Sequence, residues 1–207
     1  AAGLKGVVLV AVIAGLFHLL SMPASIFSQF VIEERFGFNT MTAKTFLFDE
    51  VKGFLLSAVL GVPILLGLFW FVRSAGELWW ILAFLAITAF QLVITVIYPM
   101  MIAPLFNKFT PLEEGSLRTR IGLLADELSF ATSGIFVMDG SRRSRHSNAY
   151  FTGIGKTKRI VLFDTLVDKL TEEQILAVLA HEIGHQKKMH IVQRLVVSLV
   201  LTLGALW

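Results

Sequence analysis

The stretch FLLSAVLGVPILLGLFWFVRSAGELWWILAFLAITAFQLVITVI, Phe54 to Ile97, decides what kind of molecule this is. It holds two apolar runs, Phe54–Val72 and Leu78–Ile97, each close to the roughly 20 helical residues needed to cross a hydrocarbon core. Only Arg73–Glu77 separates them, so the pair is expected to form a helical hairpin in a bilayer. Trp70, Trp79, Trp80 and Tyr98 stand at the ends of the runs, where amphipathic rings sit at headgroup level.

Upstream, Gly6–Ile32 is a third run, free of charge apart from His18, and Pro23 inside it predicts a kink. It is longer than the about 7–15 apolar residues of a secretory leader and is read as a retained helix. Composition agrees: 56% of the 207 residues are hydrophobic and 16% charged, with a mean hydropathy of +0.75. Soluble domains are typically about 45–50% apolar, so the chain is a membrane protein by class. It has no cysteine, which excludes disulfides and thiolate metal sites and leaves His, Asp and Glu as metal ligands. A net charge of +3 is too small to argue for nucleic acid as a partner. A fourth run, Leu195–Trp207, is too short to cross; with the missing initiator Met it suggests a piece of a longer protein.

Between the third and fourth runs lies a polar insert, 107–190, carrying 12 of the 18 Lys and Arg and 10 of the 15 Asp and Glu, which makes it the water-facing part. Thr110-Pro-Leu-Glu113 reads as a capping box opening a helix through about Leu128. Gly134–Met138 and Arg159–Phe163 read as short strands, the first turning at Asp139-Gly140 and the second ended by Asp164. Thr171-Glu-Glu-Gln174 is a second capping box, and the helix it starts carries the motif His181-Glu182-x-x-His185.

His181 and His185, four residues apart, lie one turn apart on one helix face and can chelate one ion. Glu182 sits about 100° around from His181, beside such an ion rather than behind it. A carboxylate there can take a proton from metal-bound water without being spent as a ligand, and zinc suits the site because it accepts imidazole and lowers the pKa of water to about 7. The bland reading is a buried helix, with Ile175, Leu176, Val178, Leu179 and Ile183 as its apolar surface and the histidines as hydrogen-bonded core residues. Each polar group would then need its own partner in an apolar setting, whereas one shared cation satisfies all three. His18 lies in a membrane run, where it serves function or bonds a neighbouring helix. His190 reads as interfacial, and His146 is left open. The basic runs Arg142, Arg143, Arg145 and Lys156, Lys158, Arg159 read as solvated loops or lipid contacts.

Several segments together carry a resemblance: IAPLFNKFTPL (Ile102–Leu112), VMDGSRRSRHSNAYFTG (Val137–Gly153), KRIVLFDTL (Lys158–Leu166) and AVLAHEIGH (Ala177–His185). They resemble the CAAX prenyl protease 1 family of integral-membrane zinc metalloproteases, of gluzincin type, and SQFVIEERFGFN (Ser28–Asn39) is similar to the family's segment after an early span. The bacterial branch of the family is the one expected.

The resemblance implies a mainly α, polytopic membrane helical bundle with an inserted α+β zinc metalloprotease domain. Its parts would be transmembrane helices within 1–106 (about 6–32, 54–72 and 78–98), a catalytic insert 107–190, and 191–207 as the start of a further membrane helix. It implies His181 and His185 as Zn²⁺ ligands and Glu182 as general base. Asn148, Ala149, Tyr150 and Phe151 would form an edge strand to which an extended substrate adds by main-chain pairing. The family's third ligand, a glutamate on a later helix, has no counterpart by motif in the 22 residues after His185, so this piece alone is expected to hold zinc weakly.

The implied partners are a peptide or prenylated protein substrate and the lipid bilayer, with a role in CAAX processing or membrane-protein quality control. The alternatives are a heat-shock membrane metalloprotease of the HtpX type and a non-catalytic scaffold or transporter with a vestigial histidine pair. The membrane would be the bacterial inner membrane, or the endoplasmic reticulum in a eukaryote. Lys108, Arg118, Lys187, Lys188 and Arg194, with Arg35, Lys44 and Lys52, outweigh Lys5 and Arg73 and place the insert on the cytoplasmic side.

Overall fold

The computed structural model describes residues 2–153, 158–188 and 190–207, divided into two compact units, Ala1–Leu92 with Ser198–Trp207, and Val93–Val197. The first unit is built of long apolar helices. Helix α1 (Ala2–Phe27) passes through Pro23 without ending, then loosens into a π-helical turn at Ser28–Ile32 before the short α2 (Glu33–Arg35). Asn39 ties off this end: it accepts from Gln29 Nε2 at 2.7 Å and from the Met41 amide at 2.9 Å, and donates to Glu34 Oε2 at 3.0 Å.

Helix α3 (Ala43–Ser74) starts well before the apolar run at Phe54, because Thr42 caps it by accepting from the Thr45 amide at 3.1 Å. Helices α1 and α3 run antiparallel. Near one end a side chain at Gly6 would place its Cβ 2.6 Å from the Phe69 ring, so glycine is what permits the close approach. Towards the other, His18 Nε2 meets Glu50 Oε2 at 3.2 Å, which gives His18 the neighbouring-helix partner that a polar group at that depth needs. After Gly76, whose φ of 55° only glycine adopts cheaply, α4 (Trp79–Ile97) returns alongside α3, with Pro63, Ile64, Gly67 and Ala86 lining a shared cavity of about 250 Å³.

Among the described residues three helical segments are long and apolar enough to cross a membrane: Gly3–Arg35, Ala43–Ser74 and Gly76–Phe106. Their side chains stay exposed, Leu20 by 76% and Val59 by 68%, as suits helices solvated by lipid and not by water.

The second unit begins in the last turns of α4. A π-helical turn at Tyr98–Ile102 and α5 (Ala103–Phe106) lead into β1 (Phe109–Pro111). Then follow α6 (Ser116–Glu127), β2 (Gly134–Met138), β3 (Ala149–Thr152), β4 (Arg159–Phe163), α7 (Asp164–Lys169), α8 (Glu172–Lys187) and α9 (His190–Leu206). Among the described residues the strands form one sheet of order β1-β2-β4-β3, with β2 and β4 parallel and both outer pairs antiparallel.

The capping box expected at Thr110 is not one. Thr110 lies in β1, its hydroxyl donating to the Val137 carbonyl at 3.4 Å, and the helix starts only at Ser116. Pro111 is tolerated because β1 is an outer strand whose free side needs no donor. The second capping box is real: the Thr171 amide donates to Gln174 Oε1 at 3.0 Å and the Gln174 amide to Thr171 Oγ1 at 3.4 Å.

One face of the sheet carries the core. Ile160 and Leu162 of β4 and Ala149 of β3 pack with Ile121 and Ala125 of α6 and with Ile175, Leu179 and Ile183 of α8. Burying each of these large aliphatic side chains is worth roughly 1.5–3 kcal/mol. The i, i+4 spacing of Ile175, Leu179 and Ile183 turns the opposite face of α8 outward.

Candidate metal centre on helix α8

On that outward face stand His181 and His185, both exposed, with Glu182 half-buried beside them. Their Nε2 atoms lie 2.9 Å apart, with ring centroids at 4.6 Å and planes at 84°. Two imidazole nitrogens at this separation share either a proton or a metal ion. With metal–nitrogen bonds of about 2.0–2.1 Å, one ion would bind both at an angle of roughly 90°, tighter than the tetrahedral value but within reach of a small side-chain rotation. The donor set therefore fits two positions of a metal's coordination shell. Among the described residues no group of three or more His, Asp or Glu converges on such an ion.

The start of α8 is fastened to α6. Arg120 donates to Glu172 Oε2 at 3.0 Å and Glu173 Oε1 at 2.7 Å, and the Ser116 hydroxyl donates to Glu172 Oε1 at 2.5 Å. The Ser116 bond and then Arg120 hold the Glu172 carboxyl below its usual range; Arg120 does the same to Glu173.

Beside α8, and packed against it, runs β3. Among the described residues it pairs only with β4, which leaves its other side open and puts Ala149–Phe151 on an outer strand with Asn148 just before it. The Phe163 amide donates to the Asn148 carbonyl at 3.0 Å, and with the register Ala149↔Leu162 this turns the main-chain groups of Asn148 and Tyr150 toward β4. Those of Ala149 and Phe151 face the open side. Asn148 guards it: its Oδ1 accepts from the Ala149 amide at 2.8 Å. The Ala149 and Phe151 side chains enter the core, while Tyr150 turns to the far face, its hydroxyl donating to Met138 Sδ at 3.7 Å. Burial pushes the Tyr150 phenol up to about 12.

The loop before β3 is held by residues to which the sequence reading gave no role in the site. Asp164 accepts from the Ser141 amide at 2.8 Å, the Thr165 amide at 2.7 Å and the Ser141 hydroxyl. Thr165, buried, donates to the His146 carbonyl at 2.9 Å, and Lys169 donates to the Arg145 carbonyl at 2.5 Å. Asp139 accepts from the Lys108 amide at 2.7 Å.

Three of the basic residues read as solvated or lipid-facing also make contacts within the fold. Arg143 donates to the Phe106 carbonyl at 2.6 Å and to Asn107 Oδ1 at 2.9 Å, capping the end of α5. Lys158 sits over the Phe130 ring at 4.9 Å and Arg159 over Phe136 at 5.1 Å. Lys156 and the side chain of His190 lie outside the described residues. The signal available in the sequence for Asp139 and Asp164 was their place directly after a strand, where a carboxylate collects free amides.

The family of the CAAX prenyl protease N-terminal region, with five membrane helices, matches residues 3–108, and Peptidase family M48 matches residues 111–207. CAAX prenyl protease 1 of Saccharomyces cerevisiae is 46% identical over 192 residues, 90% of this chain and 41% of that protein. The CAAX prenyl protease 1 homolog of Arabidopsis thaliana is 47% identical over 174 residues, 84% of this chain and 41% of that protein. The crystal structure of S. mikatae Ste24p superposes with a TM-score of 0.89 at 43% identity, covering 96% of this chain and 46% of that one. The chain thus spans less than half the length of these relatives. Membrane helices matched in the first half and a peptidase region in the second make the chain a member of the CAAX prenyl protease 1 family of M48 peptidases.

Proposed function

We propose that this chain forms part of an integral-membrane zinc metalloendopeptidase that hydrolyses peptide bonds of prenylated proteins ending in a CAAX box. The observation that carries the reading is the His181–His185 pair, its Nε2 atoms 2.9 Å apart on the outward face of a helix whose opposite face is locked in the core. His181 and His185 would hold the metal, their Nε2 atoms being the pair brought together. When bound, zinc supplies Lewis acidity toward the scissile carbonyl and a lowered pKa for water.

The rest falls to the chain's own side chains and backbone. Glu182 takes the proton of the attacking water on its carboxylate and passes it to the nitrogen of the leaving amine. The open side of β3 aligns the substrate: the Ala149 carbonyl and the Phe151 amide and carbonyl offer main-chain pairing, and the Asn148 side chain swings away from the Ala149 amide to free a further donor. The insert lies on the cytoplasmic side, where prenylated tails are presented. The bilayer is the endoplasmic reticulum membrane in a eukaryotic source and the inner membrane in a bacterial one.

The test is Glu182→Gln in the full-length protein. It should keep its zinc, measured by elemental analysis, and lose hydrolysis of a prenylated peptide by at least about a hundredfold, as removal of a general base does. Undiminished hydrolysis in the zinc-loaded variant rejects the role of Glu182, and failure of the wild type to cleave any prenylated peptide rejects the substrate class.

A further inference from the structure

We propose that the cavity between the last turns of α4 and the sheet's far face binds the phosphate of an anionic phospholipid. The cavity has a volume of about 190 Å³ and is lined by Val96, Pro99, Met100, Ser133, Thr152 and Arg159. Its polar side is cationic. Arg159, half-buried, is seated on the Phe136 ring at 5.1 Å, and among the described residues no carboxylate pairs with it. A guanidinium fixed over an aromatic face has a preset direction and an uncompensated charge, which suits a phosphate oxygen.

The hydroxyls decide how much of an anion the cavity can satisfy. Ser133 already donates to the Lys158 carbonyl at 2.9 Å, so the donors left are Arg159 and Thr152, and Thr152 stands on β3 with its hydroxyl uncommitted among the described residues. Two donors do not enclose a free phosphate, which presents four oxygens to be satisfied. They do suit a phosphate ester whose remaining oxygens carry the rest of the molecule away.

The apolar wall tells which ester. Val96 and Met100 are exposed on a helical segment, Gly76–Phe106, apolar enough to cross a membrane, and Tyr98 between them is an interfacial aromatic. A ligand with phosphate at Arg159 and hydrocarbon along Val96 and Met100 follows this geometry, and a basic recess at the end of a membrane helix is where anionic headgroups collect. The site lies on the face of the sheet opposite α8, so lipid binding here is separable from the metal centre.

The experiment uses the full-length protein in neutral detergent and measures the thermal shift produced by dihexanoyl phosphatidic acid, dihexanoyl phosphatidylcholine and inorganic phosphate. Phosphatidic acid should bind the wild type, at least about tenfold more tightly than phosphatidylcholine, with inorganic phosphate inert at the same concentrations. Arg159→Gln should weaken phosphatidic acid roughly tenfold or more, the loss of one charge-assisted contact, while Arg159→Lys keeps most of the affinity and Thr152→Val loses part of it.

Equal binding of phosphatidic acid by Arg159→Gln, or of phosphatidylcholine by the wild type, overturns the proposal, and a shift by inorganic phosphate matching the lipid overturns the lipid as source. Should Arg159→Gln not fold, a photoreactive phosphatidic acid on the wild type decides: adducts within 96–100 or at Thr152 sustain the site, and adducts confined elsewhere overturn it.

Discussion

Leu179→Ala tests how tightly the core beneath the motif helix is packed. Leu179 is fully buried, one turn after Ile175 and one before Ile183, and belongs to the cluster with Ile121, Ile160 and Leu162. The truncation removes three carbons, about 2.4 kcal/mol at 0.8 kcal/mol per methylene. The unfilled cavity brings the total to about 3 kcal/mol or more, within the range for buried Leu→Ala changes.

For a chain of 207 residues that is a fall in Tm of roughly 6–12 °C, at about 2–4 °C per kcal/mol, read by circular dichroism of the protein in detergent. Leu179→Met conserves volume and should cost less than about 1.5 kcal/mol. Because His181 and His185 point away from this core, zinc bound at saturation and well below the lowered Tm should remain stoichiometric in Leu179→Ala. A Tm within about 2 °C of wild type, or an equal loss in Leu179→Met, would refute the claim that packing at this position is tight and shape-specific.

Other consequences follow from single contacts. Glu172 and Glu173 have carboxyls held below the ordinary 4.5, so their contribution is complete above that pH and is lost as pH falls through the lowered value; Tm against pH should drop on that acid limb, and less steeply in Arg120→Met. Tyr150, raised from 10.0 to about 12, favours the neutral phenol in the fold, so its contribution is complete below pH 10.0 and lost as pH rises through about 12; with Tyr98→Phe leaving one tyrosine of two, near-ultraviolet tyrosinate absorbance should titrate well above the free phenol. Arg143→Ala removes two donors from the Phe106–Asn107 turn and should cost about 1–3 kcal/mol in thermal unfolding, with Arg143→Lys restoring only part because one ammonium does not reproduce the fork.

What the sequence made legible was whatever repeats at short range. The apolar runs needed only length, and the second capping box needed only residues 171 and 174, which do bond reciprocally. Strands 134–138 and 159–163 were visible as apolar, β-branched runs between turn residues. The first capping box failed because the same four letters at Thr110 also suit an outer strand, and what decides between the two is Val137, far away in the chain. The start of α3 was missed for a related reason: apolar content marks where a helix enters lipid, whereas Thr42 marks where it begins, and the turns between carry Lys44, Asp49, Glu50 and Lys52.

The site divides along the same line. Two histidines and a glutamate on one helix are a local pattern, and counting turns suffices to bring the two rings together. The loop leading into the neighbouring strand β3 is not held locally. Asp164 gathers amides from Ser141 and Thr165, Thr165 reaches back to His146, and Arg143 closes the turn at Phe106, so the loop between β2 and β3 is shaped by partners more than 18 residues away on either side.

This division has a consequence for how the edge strand is made available. An open outer strand invites pairing with any extended chain, and here the Asn148 side chain already occupies the Ala149 amide, while the loop that delivers the strand is fastened at both ends. An extended chain adding to this edge, as the proposed function requires of a substrate, would have to displace Asn148 to gain the full set of main-chain bonds. Under the proposed function, an apolar anchor in the bilayer would supply the local concentration that makes this displacement worthwhile. Local sequence supplies the histidine pair and Glu182, and long-range contacts fix the edge strand beside them.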